Sequence, residues 1–399
     1  MPFENPENIM RSWNVQTGYA TGPIVADALV PKKYGRIRTN FLCTWREEKL
    51  NTVLDFGEKN FSIYLPESLR VLKECYLKIE VPQAPSVLKS YPGLYFIKSM
   101  RLLSVGEEVY VCDYFQHMVD HLQQMDDRDA KQFASAFLGF ETSPSDAART
   151  IILPLFLPNS PYLLRAPHGE KDLRGHGIWP AYLGQNRLEI QLTMNTADFP
   201  MADVSATVGS ISGKCSIMYR ECKMSPADTL AFGDARGKYS VITRRFTELT
   251  SGWQQLDADT DKAWNINQPS GVVTEVQIIA VADESNEAKH TAAYIKPSAF
   301  KITADAIVQK DLDTSEKIDI ELYENGFDEN ADFPQPGRLC FAAHCCDNSH
   351  QYSGGYNMQL ASTITYNFKF PVAVRYKIIA VQLQRVRIDA LGRVISKLD

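Results

Sequence analysis

Apolar residues recur at every second position in short runs along most of the chain, and loops rich in proline and glycine separate those runs. The clearest run is residues 186–195. Leu188, Ile190, Leu192 and Met194 fall on one face there, with Arg187, Glu189, Gln191 and Thr193 on the other. A period of two predicts a strand with one face buried and the other solvated, as in an antiparallel sheet. It is preceded by the apolar run 151–157 and by a loop carrying Pro158, Pro161, Pro167, Gly169, Gly175 and Gly177. The order is buried strand, long loop, half-buried strand.

Similar runs fill the first half. Residues 50–56, 61–65 and 71–81 read as strands, and 96–105 and 107–111 flank Gly106 as a hairpin. At 210–222, Cys215, Ile217 and Tyr219 alternate against Ser216, Met218 and Arg220. One stretch changes period: Phe115, Met118, Val119 and Leu122 make a helical stripe behind Asp113 as a cap, and a second short helix is expected at 130–138. A β unit is complete near Met224, and Pro226, Gly233 and Gly237 mark a linker.

The pattern then restarts. Strands are expected at 239–249, 272–281, 300–308, around the alternating Ile318, Ile320 and Leu322, at 338–343, and at 364–370. The last run, 375–388, switches parity between Leu383 and Val386, which predicts a bulge or bend. Residues 338–370 repeat the strand, loop, strand order of 149–195, although the two halves share negligible sequence identity. The fold class is therefore all-β: two consecutive jelly-roll β-sandwiches with short helical insertions in loops. The expected boundaries are an arm over 1–40, a first roll over 41–225, a linker over 226–237 and a second roll over 238–399.

A length of 399 residues fits two domains better than one core. The net charge of -6 argues against a protein that grips nucleic acid with its whole surface. No apolar run reaches the length of a membrane span and Met1-Pro2-Phe3-Glu4 lacks a charged-then-apolar leader, so synthesis and folding in a cytosol are expected. The eight cysteines (43, 75, 112, 215, 222, 340, 345 and 346) have no CxxC spacing, and most lie in apolar runs; the expectation is reduced, structural thiols. Lys32, Lys33, Arg36 and Arg38 form a basic patch in the arm, read either as a solvated tail or as a contact for a neighbouring subunit or an anionic surface.

Candidate chemistry is sparse. His117 and His121 lie four apart on the predicted helix and could pair on a metal, but the Glu of HExxH and a third ligand are missing. His344, Cys345, Cys346, Asp347 and His350 match no zinc spacing. Gly209-Ser210-Ile211-Ser212-Gly213 places Ile where a GxSxG elbow needs its nucleophile, and no GxxxxGK[ST] or GxGxxG occurs. Asp257, Asp259 and Asp261 read as a solvated acidic loop or a Ca²⁺ site. No catalytic set, cofactor or metal is expected, which favours a structural role over catalysis.

Four stretches resemble the double jelly-roll major capsid proteins of icosahedral viruses, the lineage of tailless membrane-containing phages, virophages and large eukaryotic DNA viruses. They are FSIYLPESLRVLKECYLKIEVP, IKSMRLLSVGEEVYVCDYFQHM, IILPLFLPNSP with WPAYLGQNRLEIQLTMN, and RLCFAAHCCDNSHQYSGGYNMQLASTITYNFKF. The resemblance implies a homotrimer whose paired rolls form a pseudo-hexameric capsomer that tiles a shell, with no small-molecule substrate. It implies further contacts with neighbouring capsomers, with minor capsid or vertex proteins, and through the arm with an internal membrane or the genome. Residues 158–180, 113–138 and 346–355 would be contact elements, and the protein would reside in the virion after synthesis in the host cytoplasm. The competing readings are a paired jelly-roll enzyme, glycoamidase-like or copper monooxygenase-like, and a glycan-binding vertex or adhesin protein. The copper reading needs about five converging His/Met ligands, and the seven histidines are scattered.

Overall fold

The computed structural model describes residues 42–398, apart from 66–70, 116–117, 119–121, 123–131, 140–144, 156–187, 224–238, 266–271, 283–294, 325–338, 343–355, 358–360, 389–393 and a few single positions. Two compact units emerge: Met1–Met118, Lys131–Thr243 and Arg385–Leu398 form one, and Val119–Ala130 with Arg244–Gln384 the other.

The first unit is built on eight strands: β1 (Leu42–Lys49), β2 (Asn60–Tyr64), β3 (Val71–Val81), β4 (Ile97–Ser104), β5 (Glu107–Asp113), β6 (Arg149–Pro154), β7 (Leu188–Met194) and β8 (Cys215–Lys223). They make two four-stranded sheets, ordered β1-β8-β3-β6 and β2-β7-β4-β5. All pairings are antiparallel. Alternate residues of each sheet are buried: Leu77, Ile79, Ile151, Leu153 and Ile217 from one, Ile63, Met100, Leu102, Ile190 and Leu192 from the other. This is the eight-stranded jelly roll, in which successive strands pass from sheet to sheet except at the β4–β5 hairpin, and half-buried strands carry the period of two.

In the second unit the principal strands are β10 (Gln254–Leu256), β11 (Lys262–Asn265), β12 (Val272–Ala282), β13 (Ala299–Ala304), β14 (Ile307–Leu312), β15 (Leu339–Ala342), β17 (Ile364–Lys369) and β18 (Val374–Ile388). Their order is β10-β18-β12-β15 in one sheet and β11-β17-β13-β14 in the other. Counted from its own first strand, each roll has the order 1-8-3-6 and 2-7-4-5. Two additions widen the first of these two sheets, β9 (Tyr239–Glu248) on β18 and β16 (Tyr356–Asn357) on β12, while β19 (Val394–Leu398) pairs with the end of β18, Arg385–Ile388, which belongs with it to the first unit. The core is aromatic, with Phe368 4.8 Å and Trp264 6.4 Å from Tyr376 between ring centres, and Phe300 packed on Tyr366. Strands β12 and β18 are buried on both faces, Ile278 and Ala280 on one and Gln277, Ile279 and Val281 on the other; this is why 272–281 reads as a near-continuous apolar run.

Helical segments occupy the same place in both rolls, between the fifth and sixth strands. In the first, Tyr114, Phe115, Met118 and Leu122 have helical backbone and are buried; Phe115, Met118 and Leu122 belong to the predicted stripe, whose fourth member, Val119, lies outside the described residues. A single π turn, Ala134–Leu138, follows and ends at Gly139, whose φ of 68° lets its N–H return to the carbonyl of Ala134. In the second, α1 (Ser315–Glu324) lies between β14 and β15.

Several expectations need correction. Residues 50–56 do not form a strand; the first strand is β1, immediately before. Asp55 accepts hydrogen bonds from the N–H groups of Phe56 and Ile211, and this local turn chemistry competes with extension. Residues 300–308 are not one strand but the hairpin β13–β14, turning through Asp305 and Ala306 at φ 46° and 65°. Around Ile318 the chain is helical: Thr314 caps α1 by accepting from the N–H of Lys317, and Ile318 is buried while Ile320 is exposed. β18 runs unbroken through Leu383–Val386. Its register irregularities fall on either side, at Arg387/Ile388 against β19 and opposite Val273/Glu275 of β12.

Candidate assembly surfaces

Each sheet has an outward face with its own chemistry. On β2-β7-β4-β5 that face is a polar lattice. Ser62 Oγ donates to Glu189 at 2.5 Å, Gln191 Nε2 donates to the same carboxylate at 2.9 Å, and Thr193 Oγ1 donates to Asn60 Oδ1 at 2.6 Å. Groups paired this way gain little from a dry contact, so this face suits water or a wet interface.

The outward face of β1-β8-β3-β6 is mixed. Register places Met218 between Glu47 and Tyr76, and Trp45 beside Arg220. Glu47 accepts from Lys78 Nζ at 2.9 Å and Ser216 Oγ at 2.7 Å, and these two hydrogen bonds hold its carboxyl below the usual range. Trp45, 52 % exposed, rests against Tyr76 with the Arg220 guanidinium 5.8 Å from its ring. The π turn meets the same tyrosine: Phe137 stacks on Tyr76 at 5.5 Å, nearly parallel. Close backbone approach seats that turn, because a Cβ on Gly93 would lie 2.8 Å from Leu138 Cα. Arg149 also fastens the chain around it, donating to Ser145 O at 2.8 Å and to Gly139 O at 3.4 Å.

The second roll presents apolar side chains at one hairpin. Ile307 and Val308, 65 % and 47 % exposed, open β14 at the sheet edge. The tip is held rigidly: Asp305 Oδ1 accepts from the N–H groups of Ser362 at 2.8 Å and Thr363 at 2.9 Å. Behind the tip the strands carry two ion pairs, Lys301 with Asp311 and Lys310 with Glu321 of α1. The corresponding hairpin of the first roll, β4–β5, turns at Gly106 (φ 78°) into Glu107 and Glu108 instead. Sequence reading missed the apolar tip because the turn at Asp305-Ala306 contains no glycine.

The chemical candidates are not gathered into a site among the described residues. Lys32, Lys33, Arg36 and Arg38 lie outside the described residues, as do His117, His121, His344, Cys345, Cys346, Asp347 and His350. So does the loop 158–180. Ser210 is a loop staple, its Oγ bonded to Asp55 Oδ2, with the N–H of Ile211 on the same carboxylate. Burial by itself would raise the Asp55 carboxyl, but hydrogen bonds from Ser210, Phe56 and Ile211 outweigh it and hold the group below its ordinary value. Asp259 lies 3.7 Å from Lys369, and among the described residues no group of three His, Cys, Asp or Glu side chains could hold a metal ion.

No protein-family model matches the sequence, and no curated protein matches it. Solved structures do match, along almost the full length of both chains. VP54 of PBCV-1, fitted into a reconstruction of the virophage Sputnik, aligns with a TM-score of 0.66 at 10% identity, covering 90% of this chain and 98% of that one. The fold is that of viral major capsid proteins. The Faustovirus major capsid protein aligns with a TM-score of 0.64 at 8% identity over 96% of this chain and 97% of its own. The mavirus major capsid protein reaches 0.52 at 10% identity, with 89% and 90% covered. At such identities what is shared is the fold: the double jelly roll, with its strand order occurring twice in one chain.

Proposed function

We propose that this chain is a structural virion protein, the major capsid protein of an icosahedral virus. It works as a homotrimer whose paired rolls form a pseudo-hexameric capsomer. The observation that carries this reading is the repeated strand order, 1-8-3-6 with 2-7-4-5, together with the full-length likeness to capsid proteins. Two similar rolls per chain let three copies enclose a ring of six similar bodies. Such a cyclic trimer closes on itself, and the roughly hexagonal block can tile a flat facet.

The surfaces fit that role. A shell subunit needs apolar contacts among polar surroundings, and the exposed Ile307, Val308 and Trp45 stand among paired charges. No reaction is assigned to the protein: its work is assembly. The arm with Lys32, Lys33, Arg36 and Arg38 is proposed to tie capsomers together or to meet an internal membrane or the genome. Minor capsid or vertex proteins are proposed partners, and the virion is the proposed location after synthesis in the host cytoplasm. Electron microscopy of the purified chain tests the reading. Hexagonal blocks with threefold symmetry are expected, and isolated single-chain particles at every concentration would refute it.

A further inference from the structure

Two of the cysteines stand opposite each other on neighbouring strands. β1 pairs with β8 in one unbroken register in which Cys43 faces Cys222, next to the row in which Trp45 faces Arg220. The kind of row follows from one hydrogen bond. The N–H of Leu50 donates to the carbonyl of Cys215 at 3.2 Å, which makes that row a hydrogen-bonded one. Rows alternate along an antiparallel ladder, so 48, 46, 44 and 42 share its type while 49, 47, 45 and 43 are non-hydrogen-bonded. The N–H of Glu80 donating to the carbonyl of Lys214 agrees, because residues of β8 must turn alternately to β1 and to β3. Cys43 and Cys222 therefore occupy a non-hydrogen-bonded row, where the Cα atoms are about 4.5 Å apart and the two residues share one face. A disulfide asks for about 4.4–6.8 Å between Cα atoms.

From this register we infer that Cys43 and Cys222 form an oxidation site, closing a cross-strand disulfide between the first and last strands of the first roll. The inference does not rest on the capsomer reading. β1 is the edge strand of its sheet, so this row lies at the margin of the sheet. Among the described residues three other thiols are withdrawn: Cys75, Cys112 and Cys215 are free and buried, and burial pushes the thiols of Cys112 and Cys215 up to about 12. The oxidant is a low-molecular-weight disulfide such as oxidised glutathione. One cysteine thiolate attacks it, forming a mixed disulfide and releasing one glutathione thiolate. The second cysteine thiolate then displaces the other glutathione, so two protein thiols are oxidised and one glutathione disulfide is reduced to two thiols. In a reducing cytosol the pair stays open, in keeping with thiol-containing synthesis. Outside a cell it closes and pins β1 to β8 at the end where the N-terminal arm enters the roll.

The test incubates the folded full-length protein with oxidised glutathione, alkylates the remaining thiols, and maps peptides without reduction. The expected result is one intramolecular Cys43–Cys222 link and a higher Tm than the reduced protein, a shift that both Cys43→Ser and Cys222→Ser abolish. A urea-unfolded control should show no preference for this pair. Recovering Cys43 and Cys222 from the folded wild type as alkylated thiols, or as two separate glutathione adducts, would overturn the inference without bearing on capsomer formation.

Discussion

At the scale of single residues, the roll is held by polar groups placed where the chain leaves the sheets. Asp55 fastens the segment between β1 and β2 to the loop before β8, through Ser210 and the N–H of Ile211. Asp55→Asn leaves those donors poorly paired and should cost about 1–3 kcal/mol of stability, read from chemical denaturation. The pH dependence has a definite sign. A carboxyl held below its ordinary value in the folded state contributes fully above the unfolded pKa, about 3.9 for Asp, and the contribution is lost as pH falls through the folded value. Wild-type stability should therefore decline below about pH 4, with a shallower decline in Asp55→Asn; parallel curves would contradict the assignment. Gly93 makes a second residue-scale prediction. A methyl group there meets the Leu138 backbone, so Gly93→Ala should destabilise by about 1–3 kcal/mol. An unchanged denaturation midpoint would mean that the π turn is not seated as described.

At the scale of elements, the apolar tip of β13–β14 is the feature to perturb. Ile307 and Val308 are exposed on a hairpin fixed by Asp305, so charging them should leave the roll intact and weaken association. Ile307→Asp with Val308→Asp is expected to change Tm little while lowering the assembled fraction in sedimentation; unchanged assembly would remove this tip from the contacts. Elements also explain what could be read in advance. Strands β2, β3, β7, β8 and β17 were legible because one-sided burial writes a period of two into the sequence. Strands β1, β10 and β11 were not, because they lie at sheet edges, are short or charged, and contribute few buried side chains. The alternation of Ile318, Ile320 and Leu322 misled because five residues are too few to separate the two periods, and the Thr314 cap decided for a helix. The apolar tip was hidden for a related reason: Asp305 and Ala306 adopt a left-handed turn without the glycine that usually announces one.

At the scale of the whole molecule, repetition of architecture matters more than any side chain. Two rolls with negligible sequence identity reach one strand order, with helical insertions at the same place in each. That order was only partly visible beforehand, since alternation reveals strands and their number but not which strands pair across long loops. The proposed role of this doubled fold is to close a ring of three chains. Analytical ultracentrifugation of the purified, full-length protein over a range of concentrations measures this most directly. A stable species of three times the 45.0 kDa chain mass is expected. A species that remains at the mass of one chain at every concentration would contradict it.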